Sequence, residues 1–152
     1  MKAVLDSKKN GGIKMNRNFF VYGTLMSGCS NHHVIPKDSI ENIQKATIHN
    51  VELYSHISGE YPCMIEGNSK VYGEVLTIKE SHFRKALQAM DLLEDYDENA
   101  PKSDNLYNRE IREVVLETGE TIQAHVYMYN PKHEGLGERI PEGNWKTWTE
   151  KK

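Results

Sequence analysis

Two short stretches hold the residue types that acid–base chemistry on a small substrate requires. One is the carboxylate of Glu94, in the run Met90-Asp91-Leu92-Leu93-Glu94. A carboxylate set among apolar side chains resists ionisation, so its pKa rises toward neutrality, where it can take up and return a proton. Its neighbours Asp91, Asp95, Asp97 and Glu98 and the C-terminal end of a helix dipole are expected to act in the same direction. The other stretch is Tyr22-Gly23-Thr24-Leu25. Glycine and a small residue after a strand leave backbone N–H groups open, and such groups hold a carboxylate or an oxyanion. Standing alone, the four residues also read as an ordinary strand-to-loop turn.

The elements that must place these residues follow from apolar spacing. One convincing helix runs from about Lys79 to Asp95, with capping-box spacing between Thr77 and Glu80 and Ser81 as an alternative cap. At 100° per residue Phe83, Ala86, Leu87, Met90 and Leu93 form one stripe, and Glu94 falls about 20° from Phe83. A carboxylate therefore lies inside the face that should meet the core, whereas Asp91, Asp95, Arg84 and Gln88 fall on faces where charge is expected. The competing reading ends the helix at Leu93 and leaves Glu94 solvated. Strands are expected at Asn18–Tyr22 and Ala46–Leu53. A hairpin turning at Gly67-Asn68 should join Tyr61–Ile65 to Val71–Ile78, and Thr118-Gly119-Glu120 should join Tyr107–Glu117 to Thr121–Asn130. Residues 1–16 are expected to form a flexible N-terminal extension, with Met15 an alternative start, 17–148 a single domain and 149–152 a tail.

Other chemistry finds less support. Cys29-Ser30-Asn31-His32-His33 contains metal-capable side chains, but no further ligand stands at a recognisable spacing, so no metal is expected there. No nucleophile elbow, Walker loop or dinucleotide fingerprint is present. Cys63 reads as a small buried hydrophobe. Tyr107, Tyr127 and Tyr129 read as packing strand residues whose phenols are able to face a pocket, and Trp145 and Trp148 as anchors for the C-terminal segment. With 19 basic against 22 acidic residues among 152, the net charge of −3 offers no basic surplus for nucleic acid. No apolar run approaches the ~20 residues needed to cross a bilayer, and two cysteines exclude a disulfide framework. A soluble, cytoplasmic protein with a small-molecule partner is expected. Nothing in the sequence addresses oligomeric state.

In combination these residues resemble the gamma-glutamylcyclotransferase family, in its gamma-glutamylamine cyclotransferase-like branch. The resemblance covers about Asn18 to Trp145. It runs in order through Phe20-Val21-Tyr22-Gly23-Thr24-Leu25, Gly59-Glu60-Tyr61-Pro62 and Val71-Tyr72-Gly73-Glu74-Val75. It continues through Met90-Asp91-Leu92-Leu93-Glu94, Tyr107-Asn108-Arg109 and Ala124-His125-Val126-Tyr127-Met128-Tyr129. It implies an α+β fold, a small mixed, barrel-like β-sheet with one main helix and short helices. It further implies release of 5-oxoproline from a gamma-glutamyl amide without metal or cofactor. Glu94 would be the acid/base, Tyr22, Gly23, Thr24 and Leu25 the substrate loop, and Tyr107 a pocket wall or hydrogen-bond donor. Two alternatives stay open, a cyclotransferase acting on a biosynthetic intermediate and a non-catalytic ligand-binding domain of the same fold. Residues 95–105 form a longer acidic connection than the resemblance leads one to expect.

Overall fold

A computed structural model describes residues 15–152. Strand β1 (Asn18–Val21) is short and almost wholly buried, as its Phe-Phe-Val run requires. Strands β2 (Ile40–His56) and β3 (Pro62–Ile78) form a long antiparallel hairpin, and β4 (Tyr107–Leu116) and β5 (Thr121–Tyr129) a second one. The strands lie in the order β3-β1-β5-β4-β2, and β2 pairs again with β3, which closes the sheet on itself. The β1–β5 pairing is parallel and the others are antiparallel, so the fold is α+β around a small mixed barrel. Closure removes the open edges that a five-stranded sheet would otherwise present. A sixth strand, β6 (Leu136–Arg139), extends the sheet from the far end of β2.

Helix α1 (Phe83–Leu93) follows a single 3-10 turn at Glu80–His82 and packs its stripe on the barrel. Phe83, Ala86 and Met90 are buried, with the Phe83 ring 5.8 Å from that of Phe19. The expected capping box does not form. The residue ahead of α1 is His82, its side chain makes no capping bond, and the hydroxyl of Ser81 meets the His82 ring instead. The second helix, α2 (Trp145–Glu150), is capped by Asn144, whose side chain accepts from the Thr147 amide at 3.2 Å. Its Trp145 is buried and stacks on Trp148 at 5.3 Å. This helix takes in Thr149 and Glu150, which the sequence reading places in the tail.

Of three further expectations, one holds and two are adjusted. Gly67-Asn68 is not a hairpin turn: β3 runs straight through it, and the pair forms a bulge opposite Val51, next to Asn50 in a left-handed conformation at φ 63°. The hairpin turn lies earlier, between His56 and Tyr61, where Gly59 takes φ 79°. The Thr118-Gly119-Glu120 connection is as expected, with Gly119 at φ 95° and the Leu116 amide bonded to the Glu120 carbonyl. Of the expected flexible extension, residues 1–14 lie outside the described residues. Asn16 is tied to β5, its amide donating to the Gln123 carbonyl at 3.1 Å and its carbonyl accepting from His125 Nε2 at 2.9 Å.

Candidate active site

A cavity of about 170 Å³ opens where β1 leaves the barrel. Tyr22, Gly23, Thr24 and Leu25 line one side, Glu94 and Leu93 another, and Tyr61, Pro62, Leu106, Tyr107 and Tyr127 complete it. The six residues singled out in the sequence thus meet in one place, although they come from positions 22 to 107.

Glu94 reaches the cavity through the way α1 ends. The helix stops at Leu93, and Glu94 is its C-cap at φ −86°, ψ 4°. The Tyr96 amide then reaches back to the Asp91 carbonyl at 2.9 Å and the Asp95 amide to that of Leu92 at 3.2 Å, which is the Schellman arrangement. Asp95 holds the left-handed position at φ 53° that glycine usually takes. Both sequence readings of Glu94 are therefore partly right: the helix ends before it, and its side chain still follows the apolar stripe inward. Burial pushes its carboxyl up to about 7. The neighbouring acids are not the cause, contrary to expectation. Asp91 is neither solvated nor free, for Arg109 Nε donates to it at 2.9 Å and the Tyr127 hydroxyl at 2.6 Å, so its charge is already compensated.

Two phenols beside Glu94, those of Tyr107 and Tyr22, are held neutral and are already engaged. The Tyr107 hydroxyl donates to the Pro62 carbonyl at 2.6 Å and that of Tyr22 to the Tyr127 carbonyl at 2.5 Å. Burial raises both phenols well above their ordinary value, and the nearby Glu94 charge adds to the effect. Tyr107 and Tyr22 are therefore walls whose donors point into the protein. Cys63, on β3 behind this wall, is fully buried and its thiol is pushed up to about 12, which leaves it inert as a nucleophile.

In the loop after β1 the carbonyls of Gly23, Thr24, Leu25 and Met26 are occupied, and the amides of Gly23, Thr24 and Leu25 are open. The Gly23 carbonyl accepts from the Met26 amide at 3.1 Å, that of Thr24 from the Asn31 amide at 2.8 Å and that of Met26 from the Cys29 amide at 3.0 Å. His32 Nδ1 lies 2.9 Å from the Leu25 carbonyl and must be the donor, since a carbonyl only accepts. Asn31 also donates its side-chain amide to the Thr24 hydroxyl at 2.9 Å. Among the described residues no protein acceptor takes the N–H groups of Gly23, Thr24 or Leu25. An anion is the natural partner for such a row of amides. Gly23 itself is needed for closeness rather than turning, because a Cβ there would lie 2.5 Å from the Pro62 ring.

Sequence reasoning does not single out Asn31, Tyr61, Pro62, Leu106 or Tyr127 for the site. Tyr61 and Pro62 carry a signal, since they sit in the Gly59-Glu60-Tyr61-Pro62 motif, and Tyr127 reads as a packing residue able to face a pocket. Leu106 carries none. Among the described residues no three His, Cys, Asp or Glu side chains gather as a metal site, and no helix is long and apolar enough to cross a membrane.

The chain is similar to known proteins along most of its length. The family profile described as gamma-glutamyl cyclotransferase, AIG2-like, matches residues 19–147. A Vibrio cholerae protein provisionally named a gamma-glutamylcyclotransferase is 33% identical over 131 residues, covering 86% of this chain and 96% of that one. A similarly named Halalkalibacterium halodurans protein is 37% identical over 108 residues, 66% of this chain and 86% of that one. Among solved structures, an AIG2-like protein of Mus musculus superposes with a TM-score of 0.57 at 24% identity, over 86% of this chain and 94% of its own. An uncharacterized protein of Pyrococcus horikoshii superposes at 0.59 and 18%, over 88% and 93%.

Proposed function

The chain belongs to the gamma-glutamyl cyclotransferase, AIG2-like family, and from that premise we propose that it cleaves a gamma-glutamyl amide, releasing 5-oxoproline and an amine. The observation that carries the proposal is a single carboxyl, Glu94, poised near neutrality in the same cavity as a row of open backbone amides. A domain that only bound a ligand would not need a group able to exchange protons at that pH.

The substrate's own α-amine is the nucleophile. It is an ammonium ion in solution and must lose a proton before it attacks, and ionised Glu94 accepts it. The amine nitrogen bonds to the gamma-carbonyl carbon, closing a five-membered ring and placing negative charge on the carbonyl oxygen. The carbonyl oxygen's electron pair then re-forms the C=O bond and the carbon–nitrogen bond to the leaving amine breaks, as the Glu94 carboxylic acid gives its proton to that nitrogen. The ring nitrogen's second proton then passes through Glu94 to the released amine, which departs as an ammonium ion. The carboxyl ends as it began. The Gly23, Thr24 and Leu25 amides hold the glutamyl carboxylate, and the tyrosine walls keep the extended substrate folded on itself. Holding amine and carbonyl in this way makes the attack intramolecular, for which effective molarities of ~10⁵–10⁸ M are attainable.

Mass spectrometry of 5-oxoproline tests the proposal. The purified protein should release it from at least one member of a panel of gamma-glutamyl amines, amino acids and peptides. Release from none of them would overturn it. The most productive leaving group would identify what the Leu93, Leu106 and Tyr61 side of the cavity accepts.

A further inference from the structure

Among the described residues the proposed reaction leaves one buried acid without a role. Glu74, on β3, is 9% exposed, and it stands beside Val21 in the sheet register, at the point where β1 gives way to the loop. Its carboxylate accepts from the Ser27 amide at 2.8 Å and from the Ser27 hydroxyl at 2.6 Å. Lys146 Nζ, from α2, stands 3.7 Å away and supplies opposite charge. A carboxylate so placed is costly unless its acceptor sites are filled, and Ser27 fills two of them.

We infer that Glu74 is the positioning residue for the substrate loop, clamping Ser27 so that the Gly23, Thr24 and Leu25 amides face the cavity before substrate arrives. The inference rests on the cyclotransferase reading for its consequence, and on geometry for the clamp. The loop is fixed on one side by Asn31 and His32, which take up Thr24 and Leu25. Those two residues belong to the same excursion of chain as the loop, so they shape it without locating it on the barrel. Among the described residues, the polar side-chain bond from Ser27 to Glu74 is what joins the segment between Gly23 and Cys29 to a strand. Ser27 N–H also shows what this loop's amides prefer, since it already holds a carboxylate. A grip on the glutamyl carboxylate is present in both ground and transition state, so loosening it should weaken binding more than turnover.

Two variants and two readouts test the clamp. Glu74→Gln keeps the shape but loses the charge and one acceptor. Ser27→Ala removes only the hydroxyl and serves if the first variant does not fold. Amide hydrogen exchange across residues 23–31 should accelerate at least ~10-fold in either variant while β4 and β5 exchange as in the wild type. KM should rise ~10-fold with kcat within ~3-fold and the pH profile unmoved. Unchanged exchange in residues 23–31 would overturn the clamp, as would a kcat that falls with KM constant. A wild-type protein that releases no 5-oxoproline would instead sink the proposed function, and the exchange measurement would still decide the clamp.

Discussion

Glu94 carries a conflict between stability and chemistry that fixes its behaviour with pH. Its folded-state pKa of about 7 lies above the ordinary 4.5, so the folded protein holds a proton that the unfolded chain has lost. Stability from this group is complete below pH 4.5 and declines as pH rises through 7. Glu94→Gln, neutral at every pH, should therefore be more stable than the wild type at pH 8. Each tenfold change in proton affinity corresponds to about 1.4 kcal/mol, so the gain should be about 1–3 kcal/mol once water reaching the cavity is allowed for. Denaturation at pH 8 and at pH 4.5 checks it, since the gain should vanish at the lower value. Helix phase alone locates Glu94 in the sequence, but it mistakes the reason for the raised pKa. Asp91 looks solvated on a helical projection, and only the fold shows Arg109 and Tyr127 arriving from two other strands to neutralise it. Partners 18 and 36 residues away leave no trace in local spacing.

The element that presents Glu94 is the end of α1, and its geometry rests on Asp95 in a left-handed conformation. Aspartate tolerates that region at a cost that glycine does not bear. Asp95→Gly relieves a left-handed penalty of ~1–2 kcal/mol at an entropic cost of ~0.5–1 kcal/mol, so it should raise stability by about 0.5–1 kcal/mol and leave kcat/KM within about two-fold, measurable by thermal denaturation beside an activity assay. The loop at the other side of the cavity behaves oppositely. Gly23→Ala would drive a methyl group into Pro62, whose carbonyl holds the Tyr107 hydroxyl. Overpacking of this kind costs about 1–3 kcal/mol, and KM should rise as the tyrosine wall shifts. Element boundaries are legible wherever chemistry is local: the Phe-Phe-Val strand, the apolar stripe and the Gly119 turn. The bulge at Gly67-Asn68 is not, because a turn-forming pair within a strand carries the same local signal as a hairpin. Only the long pairing of β2 with β3 decides between them.

At the scale of the molecule, barrel closure gathers residues from β1, β3, α1, β4 and β5 around one cavity, and it also buries a second titratable group with the opposite sign. His125, packed between Phe19 and Phe83, is pushed down to about 4, mainly by burial. Its folded pKa lies below the ordinary 6.5, so its contribution is lost as pH falls from 6.5 toward 4. Between pH 4.5 and 6.5 Glu94 favours lower pH and His125 higher pH, and the two slopes oppose each other. Wild-type stability should be nearly flat across that window. Glu94→Gln should expose the His125 slope, about 1.4 kcal/mol per pH unit. Equal slopes in the two proteins, measured by urea denaturation, would contradict this balance. The order of the family's short motifs makes the barrel legible, whereas the cavity wall at Leu106 is not, because the 95–105 connection matches no motif. The role of Glu94 is tested most directly by comparing 5-oxoproline release by the wild type and by Glu94→Gln, both shown to be folded, on a substrate that the wild type turns over. Release should rise with pH through an apparent pKa near 7 in the wild type and fall at least ~10²-fold in the variant. Release by Glu94→Gln at the wild-type rate would contradict that role.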